Sequence, residues 1–589
     1  MNSLESLADP GIQSRTLRSL EADGLEARSE LSAQLTHIEQ ILELNYRKDE
    51  LVMTKKMNGA QAFFKTLADG GINTVFGCPG TSEMQIIEEL GHTDLHCVLG
   101  LQENIVTGMA DGYGRMADKP SLALLHVGSG ISNGLAHMQN ARRASSPMIV
   151  FAGGVAANHE VNNPEHQMNE RPHKIALAGC DWSREALTSD LLSDAAAQAL
   201  QVATQGPGKV AMVFGPAQTF WEEATIFTDP LPPVPARRVS KITIDGIAES
   251  LKAGKKTAIL LGGLALREDA LEIAGRISEG TGASLWHDYI VPRWSRGAGT
   301  VRLNQIPYVV EEGVAALAEF EQIVLVGNQI PIPTFSYKGK PLTKVPAGCE
   351  IKTLATIDCD ILAALTDLAK AVKAPAKATD RYQQGQFEAP TGTLTPSAME
   401  QCYGALIPEN AIFVDDSQLE GFGFVKSTEG APRHDYLMSC TGGAIGSGVS
   451  MAAGAAVACP DRQVICLEGD FSFMLGPQAL WSMANQNANV CIVNYNNHGS
   501  ASLEMELARV RPGDASEKSM DMLTIRKPLI DYLQLAASMG VKATRASTAE
   551  EFHAQFAEAM ANKGPHLIDA QIESTAPATI KLIRDNLVL

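Results

Sequence analysis

The chain has 589 residues, 45% of them hydrophobic and 20% charged, which is enough apolar material for about three domains. A net charge of −19 argues against a nucleic-acid surface and against binding to acidic membranes, and no apolar run reaches the ~18 residues of a membrane span. Ten scattered cysteines without a C-x-x-C pair indicate neither a disulfide framework nor a zinc site, and they fit a reducing, cytoplasmic setting.

Residues 1–56 read as an N-terminal helical extension. They carry both charge signs, helical spacing at Leu31, Leu35, Ile38, Ile41 and Leu42, and no apolar core of a signal peptide. Residues 57–228 then follow an α/β pattern. A helix from Gly59 to Ala68 precedes strands from Thr74 to Phe76, Cys97 to Gly100 and Leu122 to Leu125. Each strand runs into a polar turn, placing Thr81, Glu103 and His126 just past strand ends. On local grounds Thr81 reads as a turn hydroxyl and His126 as a hydrogen-bonded structural residue. Glu103 reads as a first-turn carboxylate, worth a few tenths of a kcal/mol against the helix dipole.

Leu231-Pro232-Pro233-Val234-Pro235 is a stiff linker. The central domain, 241–372, alternates strands (Thr257 to Leu261, Gln322 to Val326) with helices. Arg293 and Arg296 read there as surface residues, with bidentate binding of a substrate carboxylate as the alternative. A polar linker from Ala374 to Gln386 leads to the third domain, 393–580. Its centre is a βαβ unit: a strand from Val464 to Leu467, Glu468-Gly469-Asp470, a helix after Pro477, a strand from Val490 to Val493, and Asn496-Asn497-His498-Gly499. The crossover brings Asp470 and Asn497 to one sheet edge, where open α/β sheets bind ligands. A carboxylate, an amide oxygen and a backbone carbonyl are hard donors suited to Mg²⁺, whose octahedron is completed by phosphate oxygens and water. A nucleotide-binding βαβ unit is the alternative at this point. A glycine-rich turn, Cys440 to Gly446, lies upstream, and Ser502 and Glu506 share one helix face downstream.

The segments FGCPGTSEM, LQENIVTGMADGYGRM, LLHVGSGISNGLAHMQNARRASSPMIVFAGG and EGDFS with NYNNHG resemble thiamine-diphosphate enzymes of the acetolactate synthase and benzoylformate decarboxylase group. The likeness is strongest to acetolactate synthase large-subunit-like proteins and covers nearly everything from Met57 onward. It implies an α/β fold of three doubly wound parallel-sheet domains (pyrimidine-binding, central and diphosphate-binding). It also implies thiamine diphosphate and Mg²⁺ as cofactors. Glu103 would hydrogen-bond N1′ of the aminopyrimidine, the Gly443 carbonyl would accept from its 4′-amino group, and Ile445 would wedge between the two rings. Asp470, Asn497 and the Gly499 carbonyl would hold Mg²⁺, with Gly469, Phe471 and Ser472 completing the diphosphate motif. His126 and Thr81 would face the substrate, His126 as an acid/base, with Ser502 and Glu506 toward the same pocket. Phe471 departs from the family, which usually has glycine there. The stretch from Pro292 to Gly299 lacks the second histidine of benzoylformate decarboxylase.

The resemblance further implies a homodimer or homotetramer in which Glu103 of one subunit faces Asp470 and Asn497 of another. FAD, held in the central domain of some related enzymes, is left open by the sequence. The expected activity is decarboxylation of a 2-oxo acid with transfer of the acyl unit to a second carbonyl. The alternatives are a simple 2-oxo-acid decarboxylase and a catalytically silent cofactor-binding homologue.

Overall fold

A computed structural model describes residues 57–162, 172–336, 338–510 and 514–586; the extension expected over residues 1–56 lies outside them. From Asn58 onward the chain clusters as one compact unit containing three sheets. The first sheet holds β1 (Thr74–Cys78), β2 (His96–Leu99), β3 (Leu122–Leu125), β4 (Met148–Gly154), β5 (Trp182–Glu185) and β6 (Val210–Pro216), all parallel, in the order β2-β1-β3-β4-β6-β5. In the second, β7 (Thr257–Leu261), β8 (Ser284–His287), β10 (Asn304–Gln305), β11 (Gln322–Val326) and β12 (Glu350–Ala355) are parallel in the order β10-β8-β7-β11-β12. The third joins β13 (Ala411–Asp416), β14 (His434–Met438), β15 (Val464–Gly469), β16 (Val490–Asn496), β17 (Lys542–Ala546) and β18 (His566–Gln571) in the order β17-β18-β16-β15-β13-β14. The expected α/β class of doubly wound parallel sheets is therefore present.

One strand crosses between layers. β9 (Trp294–Arg296), which precedes β10 in the chain, leaves the second sheet and pairs antiparallel with β14 at the edge of the third. This overturns the surface reading of Arg293, just before the strand, and Arg296, at its end. Arg296 is 1% exposed, donates to Thr428 Oγ1 at 2.9 Å and to the Val425 carbonyl, and stacks on Trp294 and Phe424. Arg293 grips Asp435 with two bonds of 3.0 and 3.2 Å and donates to the Arg115 carbonyl at 2.8 Å. Neither guanidinium is free for a substrate carboxylate. Together they rivet the central layer to its two neighbours.

The first and third layers pack through two helices, Glu103–Ala117 and Gly448–Ala458. Glycines make this close approach: a Cβ at Gly112 would lie 2.0 Å from the Met451 carbonyl oxygen, and one at Gly454 1.8 Å from that of Met109. In each outer sheet the strand order reverses at the first strand, at β1 (between β2 and β3) and at β13 (between β14 and β15), and again near the opposite edge. Such reversals open a crevice at the carboxyl ends of the strands. Both crevices hold the polar groups described next. Among the described residues no helix is long and apolar enough to cross a membrane.

Candidate active site

Three strand ends share a device. Two residues beyond β3, β13 and β16 stand Val127, Gln418 and His498, with φ of +40°, +60° and +63°. None is glycine, and left-handed backbone costs such residues of order 1–3 kcal/mol each, a strain typical of functional turns. Each one turns the chain sharply off its strand, so His126 and Asn497 are presented at the sheet edge rather than carried on along it.

At the third sheet's crevice, Asp470 begins a short helix, Asp470–Phe473, directly after β15. Its carboxylate is 0% exposed; Oδ2 accepts from the His498 amide at 2.6 Å, while Oδ1 has no hydrogen-bond partner. Burial pushes this carboxyl up to about 7, against the pull of the His498, Phe471 and Gly499 amides. An orphaned, buried carboxylate oxygen is costly unless something cationic completes it. The Asn497 amide is fixed by donating to Glu420 Oε1 at 2.6 Å, and its Oδ1 accepts from the Gly499 amide at 3.1 Å. Asp470 and Asn497 thus lie at one sheet edge as the βαβ argument expects, with Gly499 beside them. No group of three His, Cys, Asp or Glu side chains poised for a metal occurs among the described residues. A single carboxylate with an amide and a carbonyl fits an ion whose remaining ligands come from a phosphorylated cofactor and water. Ser472 is buried in the same turn, Gly469 precedes it, and Phe471 is half-buried beside them. Around this floor lie further buried carboxyls. Asp416 is raised to about 6 by burial, and Glu468 well above its ordinary range by burial and then by Asp416.

The upstream loop comes from the end of β14. Gly443 and Gly446 have φ of +91° and +82°. Asp416 Oδ2 accepts from the amides of Gly446 and Gly448 at 2.8 and 3.1 Å. Gly443 is exposed and Ile445 partly exposed.

At the first sheet's crevice a carboxylate–imidazole pair appears that sequence reasoning missed. His126 Nδ1 lies 2.7 Å from Glu83 Oε2. Glu83 is 0% exposed and also accepts from the Gly80 amide at 2.9 Å and the Ser82 hydroxyl at 2.8 Å. A carboxylate accepts, so Nδ1 carries the proton and Nε2 is left to face outward. Two glycines make room: a Cβ at Gly80 would fall 2.2 Å from His126 Nδ1, and one at Gly153 2.3 Å from Glu83 Oε1. Thr81 is exposed, and its neighbour Ser82 is the hydroxyl that reaches His126, at 3.2 Å. Only the parallel pairing of β1 with β3 brings residues 83 and 126 together; the glycine turn was the one local signal.

Glu103 is the first residue of its helix, partly exposed, and accepts from Asn133 at 3.0 Å. It lies close enough to Cys78 that burial and the Glu103 charge together raise that thiol to about 11. Glu103 and His126 both flank the first turns of helix Val127–Ala144, where a Cβ at Gly130 would stand 3.1 Å from Glu103 Oε1. Ser502 and Glu506 are already engaged. Ser502 Oγ accepts from the Leu419 amide at 3.0 Å, and Glu506 takes the Tyr308 hydroxyl at 3.2 Å and neighbours Arg509.

Fold and site together define a class of α/β enzyme with a cofactor crevice at the strand ends, one crevice carrying hard-oxygen donors and the other a carboxylate–imidazole pair. Residues 57–175 match the N-terminal TPP binding domain of thiamine pyrophosphate enzymes, and residues 423–570 match the C-terminal TPP binding domain. The chain is 39% identical over 524 residues to "Putative acetolactate synthase large subunit IlvX" of Mycobacterium tuberculosis, covering 88% of this chain and 99% of that one. To benzoylformate decarboxylase of Pseudomonas aeruginosa it is 26% identical over 545 residues, again 88% and 99% of the two chains. The solved thiamine diphosphate-dependent 4-hydroxybenzoylformate decarboxylase of Rhodococcus jostii RHA1 superposes with a TM-score of 0.76 at 25% identity, covering 88% of this chain and 100% of that one. The protein belongs to the thiamine-diphosphate enzymes, in the family of acetolactate synthases and related decarboxylases.

Proposed function

We propose that the protein binds thiamine diphosphate through Mg²⁺, decarboxylates a 2-oxo acid and passes the acyl unit to a second carbonyl. The observation that carries the cofactor part is the buried, partnerless Oδ1 of Asp470 beside Asn497 and Gly499. These three groups would hold the metal and, with Gly469, Phe471 and Ser472, the diphosphate end. Gly443 and Ile445 would meet the aminopyrimidine, and Glu103 would bond to its N1′. When bound, the cofactor supplies a nucleophilic carbon for the substrate carbonyl and an electron sink for the decarboxylation. The chain's own work is to orient and to move protons. Glu83 would hold His126 so that Nε2 faces the reacting group as an acid/base.

Transfer to a second carbonyl is favoured by the 39% identical relative named as an acetolactate synthase large subunit. The Glu83–His126 pair favours a second reading, a simple decarboxylase, because a positioned acid/base that relays a proton to the intermediate ends the reaction at an aldehyde. A homodimer or homotetramer belongs to the same proposal. Glu103 is only partly covered within one chain, and Leu99 and Leu101 beside it are exposed.

The test is to reconstitute metal-stripped protein with thiamine diphosphate and Mg²⁺, supply pyruvate with and without a second 2-oxo acid, and identify products by NMR. An acetohydroxy acid or 2-hydroxy ketone supports acyl transfer. A free aldehyde selects the second reading, and failure to bind the cofactor under any condition overturns both. Light scattering on the same samples reads the assembly, and a monomer that turns over would refute the shared site.

A further inference from the structure

Helix Val127–Ala144 carries three polar residues at seven-residue spacing: His126 at its N-cap, Asn133 and Asn140. Seven residues fall about 20° short of two full turns, so the three share one stripe over about 21 Å of helix. The first pairs with Glu83 and the second donates to Glu103. The third crosses to the other half of the molecule. Asn140 is 0% exposed, and its amide is used on both sides. Nδ2 donates to the Ala444 carbonyl at 2.7 Å and to Ser447 Oγ at 3.1 Å, while Oδ1 accepts from the amides of Gly442 at 2.9 Å and Ala444 at 3.2 Å. Its backbone carbonyl accepts from Thr441 Oγ1 at 2.7 Å. Gln139 Nε2 adds a bond to the Gly442 carbonyl at 3.2 Å. The approach is so close that a Cβ at Gly442 would lie 2.8 Å from the Gln139 carbonyl carbon and oxygen.

The loop is thus pinned at alternate points. Asn140 holds Gly442, Ala444 and Ser447 from the first layer, and Asp416 holds Gly446 and Gly448 from the third. Gly443, which is exposed, and Ile445, which is partly exposed, lie between the pinned residues. A buried amide satisfied on both sides fixes geometry because any shift strands a polar group in a low-dielectric interior.

We infer that Asn140 is a positioning residue for the cofactor: it sets the height of the Gly443 carbonyl and the Ile445 side chain against the aminopyrimidine ring. The inference rests on the proposed thiamine-diphosphate reading, and the experiment separates the two.

Full-length wild type, Asn140→Asp and Gly442→Ala are titrated in parallel with two probes in the presence of Mg²⁺. Thiamine diphosphate reads both ends of the site, whereas inorganic pyrophosphate reads only the end at Asp470 and Asn497. Asn140→Asp keeps the two acceptor contacts and removes the two donor ones; Gly442→Ala pushes helix and loop apart from the other side. The expected result is at least tenfold weaker thiamine diphosphate binding in both variants, with pyrophosphate affinity within twofold of wild type. A changed near-ultraviolet circular dichroism band of the bound aminopyrimidine should accompany it. Unchanged thiamine diphosphate affinity and an unchanged band would overturn the inference alone. Equal losses for both probes would overturn it too, by showing a general structural role. A wild type that binds pyrophosphate but not thiamine diphosphate would overturn the functional reading beneath it.

Discussion

Asp470 shows how a single residue can be kept for function at the expense of stability. Its carboxylate is buried with one oxygen unpartnered, and burial raises it to about 7. At pH 8 the metal-free protein must therefore hold an ionised group where a neutral one is preferred. Asp470→Asn removes that charge with little change of shape. The variant should resist urea as well as or better than wild type in the absence of cofactor at pH 8, by up to a few kcal/mol. It should also lose the rise in Tm that Mg²⁺ with thiamine diphosphate gives the wild type. A variant that is both less stable and still shifted by cofactor would contradict the assignment. Glu83 makes the opposite case, a residue whose contacts survive a neutral replacement. Glu83→Gln can still accept from Gly80 and His126, yet it no longer places a charge against the imidazole. Turnover should fall at least about tenfold while cofactor affinity stays within twofold, as expected of a group acting through a general acid or base. Steady-state kinetics beside a binding titration checks this.

At the scale of elements, the working parts are turns at strand ends, and their legibility in the sequence was uneven. The strands from Leu122 to Leu125, Thr257 to Leu261 and Gln322 to Val326 form as read, because each is an apolar run closed by a polar turn. β16 runs three residues beyond the expected Val493, through Asn494 and Asn496. Their amides donate to buried Asp569 at 3.1 and 2.9 Å, a partner 73 to 75 residues away that no local pattern announces. The Asp470–Asn497 pairing was legible because one crossover sets it. The Glu83–His126 pair was not, since a glutamate in a short turn looks like any capping residue until β1 and β3 are laid side by side. Arg296 was misread for a related reason, as nothing in a charged tripeptide tells that the strand deserts its own sheet. The turn after β1 offers a direct test. Gly80→Ala would press a methyl into the His126 ring, only 2.2 Å from Nδ1. Product formation should drop about as far as in Glu83→Gln, while thiamine diphosphate and Mg²⁺ bind normally. Retained turnover would show that the imidazole need not sit where the structure puts it.

Across the whole molecule, three layers are locked at one junction, and its charges set how the protein meets acid. Asp435 on β14 takes Arg293 of the central layer with bonds of 3.0 and 3.2 Å and Arg462 at 2.8 Å; Arg293 in turn reaches the first layer at the Arg115 carbonyl. Burial works to raise the Asp435 carboxyl, but the Arg293 and Arg462 guanidinia overcome it and hold it down at about 2. Beside it His434 is kept neutral, pushed down to about 3 by burial and by the Arg296 charge. Both groups titrate in the same sense. A carboxyl held below its ordinary value contributes stability that is present above pH ~4 and is lost as pH falls toward 2. A histidine held neutral lets the unfolded chain take up its proton first, so stability drains from about pH 6.5 down to about pH 3. Elsewhere, Glu400, Asp416 and, in the metal-free protein, Asp470, raised to about 7, about 6 and about 7 by burial, change in the opposite sense between pH 4 and 7 and more than mask the histidine there. Below pH 4 those carboxyls are protonated in both states and the masking ends. Stability should therefore not fall between pH 7 and 4, and should drop below. Asp435→Asn should cost on the order of 2 kcal/mol at pH 6 and progressively less as pH falls below 4, because acid does to the wild type what the substitution has already done. Urea titrations of both proteins at pH 6, 4 and 3 decide it. A penalty that stays constant with pH would mean that Asp435 acts there only as a hydrogen-bond acceptor and not as the charge that binds three layers.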